Sequence, residues 1–244
     1  MPVLLVTGAS RGIGAAVATL AAARGYDVAL NFLHDEAGAD AVAHAVRSYD
    51  RRALAVRADV SDEKAVVAMF DAVGRELGTP SALVNNAGIT GRLGSFTDLD
   101  AADVARVLAV NVAGTMLCAR EAVRRMSGSG GGAIVNVSSR AADIGGAGEW
   151  LHYAASKGAI ETFTVGLARE VAAQNIRVNA VSPGLIETGL HAAAGAPERL
   201  ERLRRSIPMQ RAGTAVEVVE AVLWLLSSAA SYVTGAVLPV GGGR

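Results

Sequence analysis

Val3-Leu4-Leu5-Val6-Thr7-Gly8-Ala9-Ser10-Arg11-Gly12-Ile13-Gly14 begins with four apolar residues, runs into glycines at 8, 12 and 14, and leads into the alanine-rich stretch from Ala15 to Arg24. The succession predicts a strand, a glycine loop and a helix. Glycine at these places permits a tight turn, a close approach of the backbone to a ligand, and contact between the helix and its strand. The start of the helix would then point unpaired N–H groups at an anion such as a pyrophosphate. The spacing differs from the G-x-G-x-x-G of the general dinucleotide loop, so taken alone the run also fits plain strand-helix packing.

Outward from this stretch, apolar strand-like runs recur at Val28 to Phe32, Ala53 to Val56, Ala82 to Val84, Ala133 to Val137, Arg177 to Val181 and Ala236 to Val240, with longer helix-like segments between them. Near-continuous apolar strands alternating with helices predict a parallel sheet covered on both faces. The fold class is therefore α/β: a single-domain, doubly wound parallel sheet of about seven strands, of the Rossmann kind, over residues 1–244. Ligands of such sheets bind beyond the carboxyl ends of the strands, and five post-strand loops are expected to converge there. The glycine-rich run at 127–132 reads as a surface turn, not a linker. The one long segment without a strand, about 187–205, holds Gly189, Gly195 and Pro197 and reads as a lid over the site. Its charged end, Glu198 to Arg205, reads as a solvated helix face.

Tyr153 and Lys157 stand four residues apart, which on a helix places phenol and ammonium on one face. A tyrosine titrates near about 10, and a fixed cation beside it would favour the phenolate. The pair could thus serve as a base, although isolated pairs of this kind also occur on solvated helix faces.

Composition sets limits. The 244 residues are 51% hydrophobic and 19% charged, with 23 basic and 23 acidic side chains. This suits one domain with a large core. It supplies no basic excess for nucleic acid or a charged membrane. The lone Cys118 cannot form an internal disulfide and reads as core packing in a reducing compartment. The first strand lies at the N-terminus without a leader pattern, and no apolar stretch looks long enough to span a bilayer, so a cytoplasmic protein is expected. Histidines 34, 44, 152 and 191 lack ligand spacing, so no metal site is expected.

Taken together, Thr7-Gly-x-x-x-Gly-x-Gly14, Asn85-Asn-Ala-Gly88, Asn111, Ser139, Tyr153-x-x-x-Lys157 and Pro183-Gly184 resemble, in order and approximate spacing, the short-chain dehydrogenase/reductase family. The endings Pro208 to Gly213 and Tyr232 to Gly242 extend the resemblance over nearly the whole chain. It implies hydride transfer between a nicotinamide and a carbonyl or secondary alcohol. Tyr153 would be the acid/base and Ser139 would hold the substrate oxygen. Lys157 would lower the tyrosine pKa and hold the ribose, and Asn111 would hold a relay water. Ser139 lies fourteen residues before Tyr153, one more than the family's usual spacing, which places an extra residue in 143–150.

The cofactor set implied is Gly8, Ser10, Arg11, Gly12, Ile13, Gly14, Asn31, Asp59, Val60, Asn86, Ala87, Gly88, Tyr153, Lys157, Pro183, Gly184, Ile186 and Thr188. Asp59 would meet the adenine or, like Ser61, cap the next helix. Asn111 could instead be a helix-helix hydrogen bond, Ser139 a turn cap, and Asn85 scaffolding. NAD sites commonly carry an acid at the end of the second strand; here Asn31 is neutral and Arg11 supplies a cation, so NADP(H) is expected to be preferred, with NAD(H) possible. Ile89, Leu93, Gly145, Trp150 and Leu190 form the expected apolar substrate pocket, without a clear basic docking patch. The resemblance, the apolar helix at 218–226 and the last strand together point to a homo-oligomer, a tetramer. A non-catalytic dinucleotide-binding regulator and a redox-neutral epimerase or dehydratase are the alternative functions.

Overall fold

The structure is a computed structural model that describes residues 1–189 and 195–244. Seven strands, β1 (Val3–Val6), β2 (Asp27–Phe32), β3 (Ala53–Arg57), β4 (Ala82–Asn85), β5 (Gly132–Val137), β6 (Ile176–Pro183) and β7 (Val237–Val240), form one sheet in the order β3-β2-β1-β4-β5-β6-β7. All neighbours are parallel. The order reverses between β1 and β4, and the switch point lies there.

Strand side chains alternate between two separate cores because both faces are covered. Leu4, Val6, Val28, Leu30, Val84 and Val135 pack with α1 (Gly12–Ala23), α2 (Glu36–Arg47) and a C-terminal helix, Ala215–Leu226. Val3, Leu5, Ala29, Leu83 and Ile134 pack on the other face with α3 (Glu63–Glu76), α5 (Thr115–Met126) and α7 (Leu151–Val171). Between them lie α4 (Ala101–Leu108), joined to α5 by a π-helical turn at Ala109–Gly114, and the short α6 (Ala141–Ile144). The segment after Gly195 contains α8 (Arg199–Leu203), and the C-terminal helix is α9.

The helix starts differ in a way that matters for the site. Asp35, Asp62, Asp100 and Thr214 cap α2, α3, α4 and α9 with their side chains, the last as a full capping box. Helix α1 has no side-chain cap and no acid in its first turn. The caps also correct one expectation, since neither Asp59 nor Ser61 caps α3; Asp62 does, accepting from the N–H of Lys64 at 2.8 Å.

A second correction concerns length and apolarity. The continuous helix Ala101–Met126, 26 residues long, is apolar and long enough by composition to cross a membrane. In this fold Val107, Val110, Cys118, Ala119, Ala122 and Met126 are buried. Glu121 pairs with Arg124 and Arg125 at the other end of the same helix. One face of the helix is therefore core, while Leu108 and Met116 on it lie exposed.

Candidate active site

A cavity of about 760 Å³ opens at the carboxyl ends of the strands, beside the switch point. Its wall is built from Gly8, Ser10, Arg11, Gly12 and Ile13 after β1, Asn31 on β2, Asp59 and Val60 after β3, and Asn86, Ala87 and Gly88 after β4. Ser139 after β5, Tyr153 and Lys157 on α7, and Pro183, Gly184, Ile186 and Thr188 at and beyond the end of β6 complete it. Gly14 and Asn111 stand behind this wall and shape it from outside.

The glycine loop is a cradle that side chains would fill. Gly8 has φ +62, and a Cβ there would lie 2.9 Å from Ala87 Cα; one on Gly14 would strike the Gly8 carbonyl and come within 2.5 Å of Asn86 Nδ2. Asn86 explains the second contact: its amide donates to the carbonyls of Thr7 at 3.0 Å and Gly8 at 2.9 Å. Thr7 answers by accepting at Oγ1 from the N–H groups of Asn86 and Ala87, both at 3.0 Å. The loop after β1 is thus tied to the end of β4 while the uncapped start of α1 faces the cavity. Such a site fits a dinucleotide pyrophosphate.

Asn31 does not play the expected part. Only 2% exposed, it accepts from the Gly8 N–H at 3.3 Å and donates through Nδ2 to the Ala58 carbonyl at 2.9 Å. Its side chain joins the glycine loop to β3 and is not available to read a ribose. β2 ends at Phe32, and the cavity edge there is Phe32, Leu33, His34 and Asp35. Asp35 is engaged by the Gly38 N–H at 2.9 Å. Arg11 is exposed and makes no side-chain hydrogen bond or ion pair among the described residues. Asp59 accepts from Ser61 and from Arg106 Nη2 at 3.2 Å, partners that hold its carboxyl below its usual value against the opposing effect of burial.

At the other end of the cavity, adjacent serines divide their work. Ser138 turns onto α7, donating to Glu161 Oε1 at 2.8 Å, while Ser139 Oγ accepts from the Ala141 N–H at 3.1 Å and lies near enough to act on the Tyr153 phenol. Lys157, 5% exposed, donates from Nζ to the Val137 carbonyl at 2.8 Å and lies 5.6 Å from the centre of the Tyr153 ring. Burial pushes its pKa down to about 8. Burial pushes the Tyr153 phenol up, opposed by the Ser139 hydrogen bond and by the charge of Arg199. Two cations therefore stand near Tyr153: Lys157, facing its ring, and Arg199, whose charge acts on the phenol from the other segment. Asn111, on the π-helical turn, accepts from the Ile89 N–H and donates to the Ile89 carbonyl, both at 2.9 Å, and donates to Ser156 Oγ at 3.0 Å. Asn85 is buried scaffolding, donating to Asn136 Oδ1 at 2.9 Å.

A family model described as enoyl-(acyl carrier protein) reductase matches residues 8–244. The chain belongs to the short-chain dehydrogenase/reductase family. The uncharacterized oxidoreductase YgfF of Escherichia coli (strain K12) is 51% identical over 247 residues, spanning 100% of both chains. Cis-4-hydroxycyclohexanecarboxylate dehydrogenase of Sinomonas cyclohexanicum is 44% identical over 99% of this chain and 95% of its own. Among solved structures, levodione reductase superposes with a TM-score of 0.93 at 33% identity, covering 99% of this chain and 96% of its own. The protein is accordingly an NAD(P)-dependent dehydrogenase/reductase acting on small molecules.

Within this short-chain dehydrogenase/reductase the substrate end departs from the expected apolar pocket. Ile89 and Trp150 line the cavity, but Leu93 is exposed and away from it and Gly145 is displaced by its neighbours Ile144 and Gly146; Leu190 lies outside the described residues. Three arginines line the same space: Arg140, Arg199 and Arg244. The run from Glu198 to Arg205 is therefore only partly a solvated face. Arg199 is folded inward over Trp150, 4.8 Å from its ring centre, and its Nε and Nη2 both reach Glu149 Oε2, at 3.0 and 2.7 Å. The sequence signal was the single acid at 149 facing a basic run fifty residues later, and nothing in spacing alone connects the two.

Proposed function

We propose that this chain is an NADP(H)-dependent oxidoreductase that transfers a hydride between the nicotinamide and a carbonyl or secondary alcohol, with Tyr153 as the acid/base. The observation that carries this reading is the convergence of Ser139, Tyr153 and Lys157 on one cavity wall, facing the glycine cradle. Gly8, Gly12, Ser10 and Ile13 would hold the pyrophosphate. Asp59 and Val60 would border the adenine, and Pro183, Gly184, Ile186 and Thr188 the nicotinamide end. When bound, the nicotinamide supplies or accepts the hydride.

The chain's own groups manage the proton. In the reductive direction the substrate oxygen gains negative charge, Ser139 donates a hydrogen bond to it, and the Tyr153 phenol gives up its proton to it. A phenol held above its usual value by burial carries that proton at neutral pH, which favours reduction. Lys157, still cationic below about pH 8, would stabilise the phenolate left behind and hold the ribose hydroxyls. Asn111 fastens the loop at Ile89 to α7 and so positions Lys157; a relay water on it would follow the family pattern.

NADP(H) is the preferred cofactor and NAD(H) is accepted, since Arg11 is the unengaged cation at the ribose edge and Asp35 is committed to capping α2. The buried, free Cys118 suits a reducing, cytoplasmic setting. A homotetramer is favoured by exposed Val216 and Trp224 on α9 beside the edge strand β7.

Tyr153→Phe tests the central claim. Turnover of ketones should fall by at least about 100-fold, while NADPH binding followed by fluorescence stays within a few-fold of wild type. Retention of most of the rate would end the acid/base assignment.

A further inference from the structure

The arginines at the substrate end ask for a partner that the protein does not supply in full. Around the cavity mouth Arg140 pairs with Asp143, while Arg199 and Arg202 share Glu149, the latter at 2.6 Å from Oε1. Arg244 also lines the cavity and has no ion-pair partner among the described residues. The lining at this end thus holds three guanidinium groups, of Arg140, Arg199 and Arg244, and the Glu149 carboxylate, with Arg140 also held by its Nε bond to the Arg244 carbonyl at 2.7 Å; the excess of cations lies in a partly enclosed space where charges are weakly screened. Arg199 is the most enclosed of the α8 cations, its side chain 14% exposed. Its Nε and Nη2 are taken by Glu149 and its face by Trp150, which leaves Nη1 without a hydrogen bond among the described residues. Glu149 therefore orients the guanidinium more than it neutralises the site.

We infer that Arg199, oriented by Glu149 and Trp150 and supported by Arg244, is an anion-recognition site, so that the substrate is a small ketone or secondary alcohol bearing a carboxylate remote from the reacting carbon. The inference rests on the oxidoreductase reading, because the position of the anion is defined relative to a carbonyl held at Ser139 and Tyr153. Arg199 lies close enough for its charge to act on the Tyr153 phenol, and Arg244 feels both Arg199 and Glu149, so the three belong to one electrostatic neighbourhood. A planar guanidinium with a free N–H edge suits a carboxylate, and the Trp150 ring offers an apolar surface for the carbon frame between the two ends. Arg199 is a specificity-determining residue in this account, not one that moves the proton.

The test compares 4-oxocyclohexanecarboxylate with its neutral carboxamide as substrates of the NADPH-loaded protein. Alongside it, the affinities of cyclohexanecarboxylate and cyclohexanecarboxamide, which cannot react, are compared by calorimetry on the same complex. The expected result is a preference for the acid of at least about 10-fold in both kcat/KM and affinity, with Arg199→Gln collapsing both ratios chiefly through KM. Arg199→Lys should retain part of the preference, which a purely structural role for Arg199 would not predict, and Arg244→Gln should reduce it. Arg205→Gln, on the exposed end of the same run, should leave the ratios intact. Equal treatment of acid and amide by the wild type overturns the anion site while leaving the oxidoreductase reading standing. Tighter binding of the carboxylate with no turnover of either ketone supports the anion site and counts against the oxidoreductase reading. A preference that survives Arg199→Gln overturns the assignment to Arg199.

Discussion

Lys157→Met gives a direct measure of what it costs this fold to hold an ammonium behind Tyr153. The ordinary lysine value of 10.5 falls to about 8 in the folded chain because burial disfavours the charged form. That gap corresponds to about 3 kcal/mol of folding free energy. Below about pH 8 both folded and unfolded chains carry the proton, and the folded state bears the whole penalty. Between about 8 and 10.5 the folded chain has released the proton while the unfolded chain still holds it, so stability climbs as pH rises. Above 10.5 both are neutral and the penalty is gone.

Methionine keeps most of the side-chain volume and removes the titration, at the cost of leaving the Val137 carbonyl without the 2.8 Å donor it has in wild type. The difference in unfolding free energy between wild type and Lys157→Met should therefore be flat below pH 8 and move by about 3 kcal/mol in favour of wild type by pH 10.5. Urea denaturation of the protein without cofactor at intervals from pH 6 to 10.5 measures it. The raised phenols of Tyr26 and Tyr153 titrate in both proteins and largely cancel in the difference. Parallel stability profiles for the two proteins would refute the claim that Lys157 is held as a strained cation.

The cofactor end makes a paired prediction. Asn31→Asp should destabilise the protein by about 2–4 kcal/mol in thermal unfolding, because a carboxylate oxygen replaces the amide donor facing the Ala58 carbonyl; a clean switch toward NAD(H) with unchanged stability would contradict the scaffolding role. Arg11→Ala should raise KM for NADPH about 10-fold more than for NADH, the scale of one charge-assisted hydrogen bond, and equal effects on both would show that Arg11 does not meet a 2′-phosphate. On assembly, light scattering at micromolar concentration should give a tetramer, with Trp224→Glu shifting it toward smaller species; a wild-type monomer would rule the interface out.

The parallel sheet was legible because its signal is local. Each strand is an apolar run, each loop has its glycine or asparagine, and a sheet buried on both faces leaves little ambiguity about strand period. All seven strands fall within a residue or two of the runs read from sequence, and the lengthening of β6 to Pro183 occurs where pairing with β7 continues past the apolar core. The positions of Ser139, Tyr153 and Lys157 were equally legible, since two of them share a helix and the third follows a strand end.

What sequence could not determine is where a side chain spends its hydrogen bonds. Asn31 reads as a ribose contact until the fold brings Ala58 beside it, and Asp59 as a helix cap until Asp62 proves better placed in the backbone turn. Spacing pairs Tyr153 with Lys157, but it does not reveal the burial of the phenol or the charge of Arg199, from a segment forty-six residues later, that also act on it. Local pattern fixes which residues stand at the end of each strand, because backbone geometry acts over a few positions. Which of them face the cavity, and with what charge, is decided only when segments far apart in the chain pack together, because desolvation and ion pairing depend on neighbours in space.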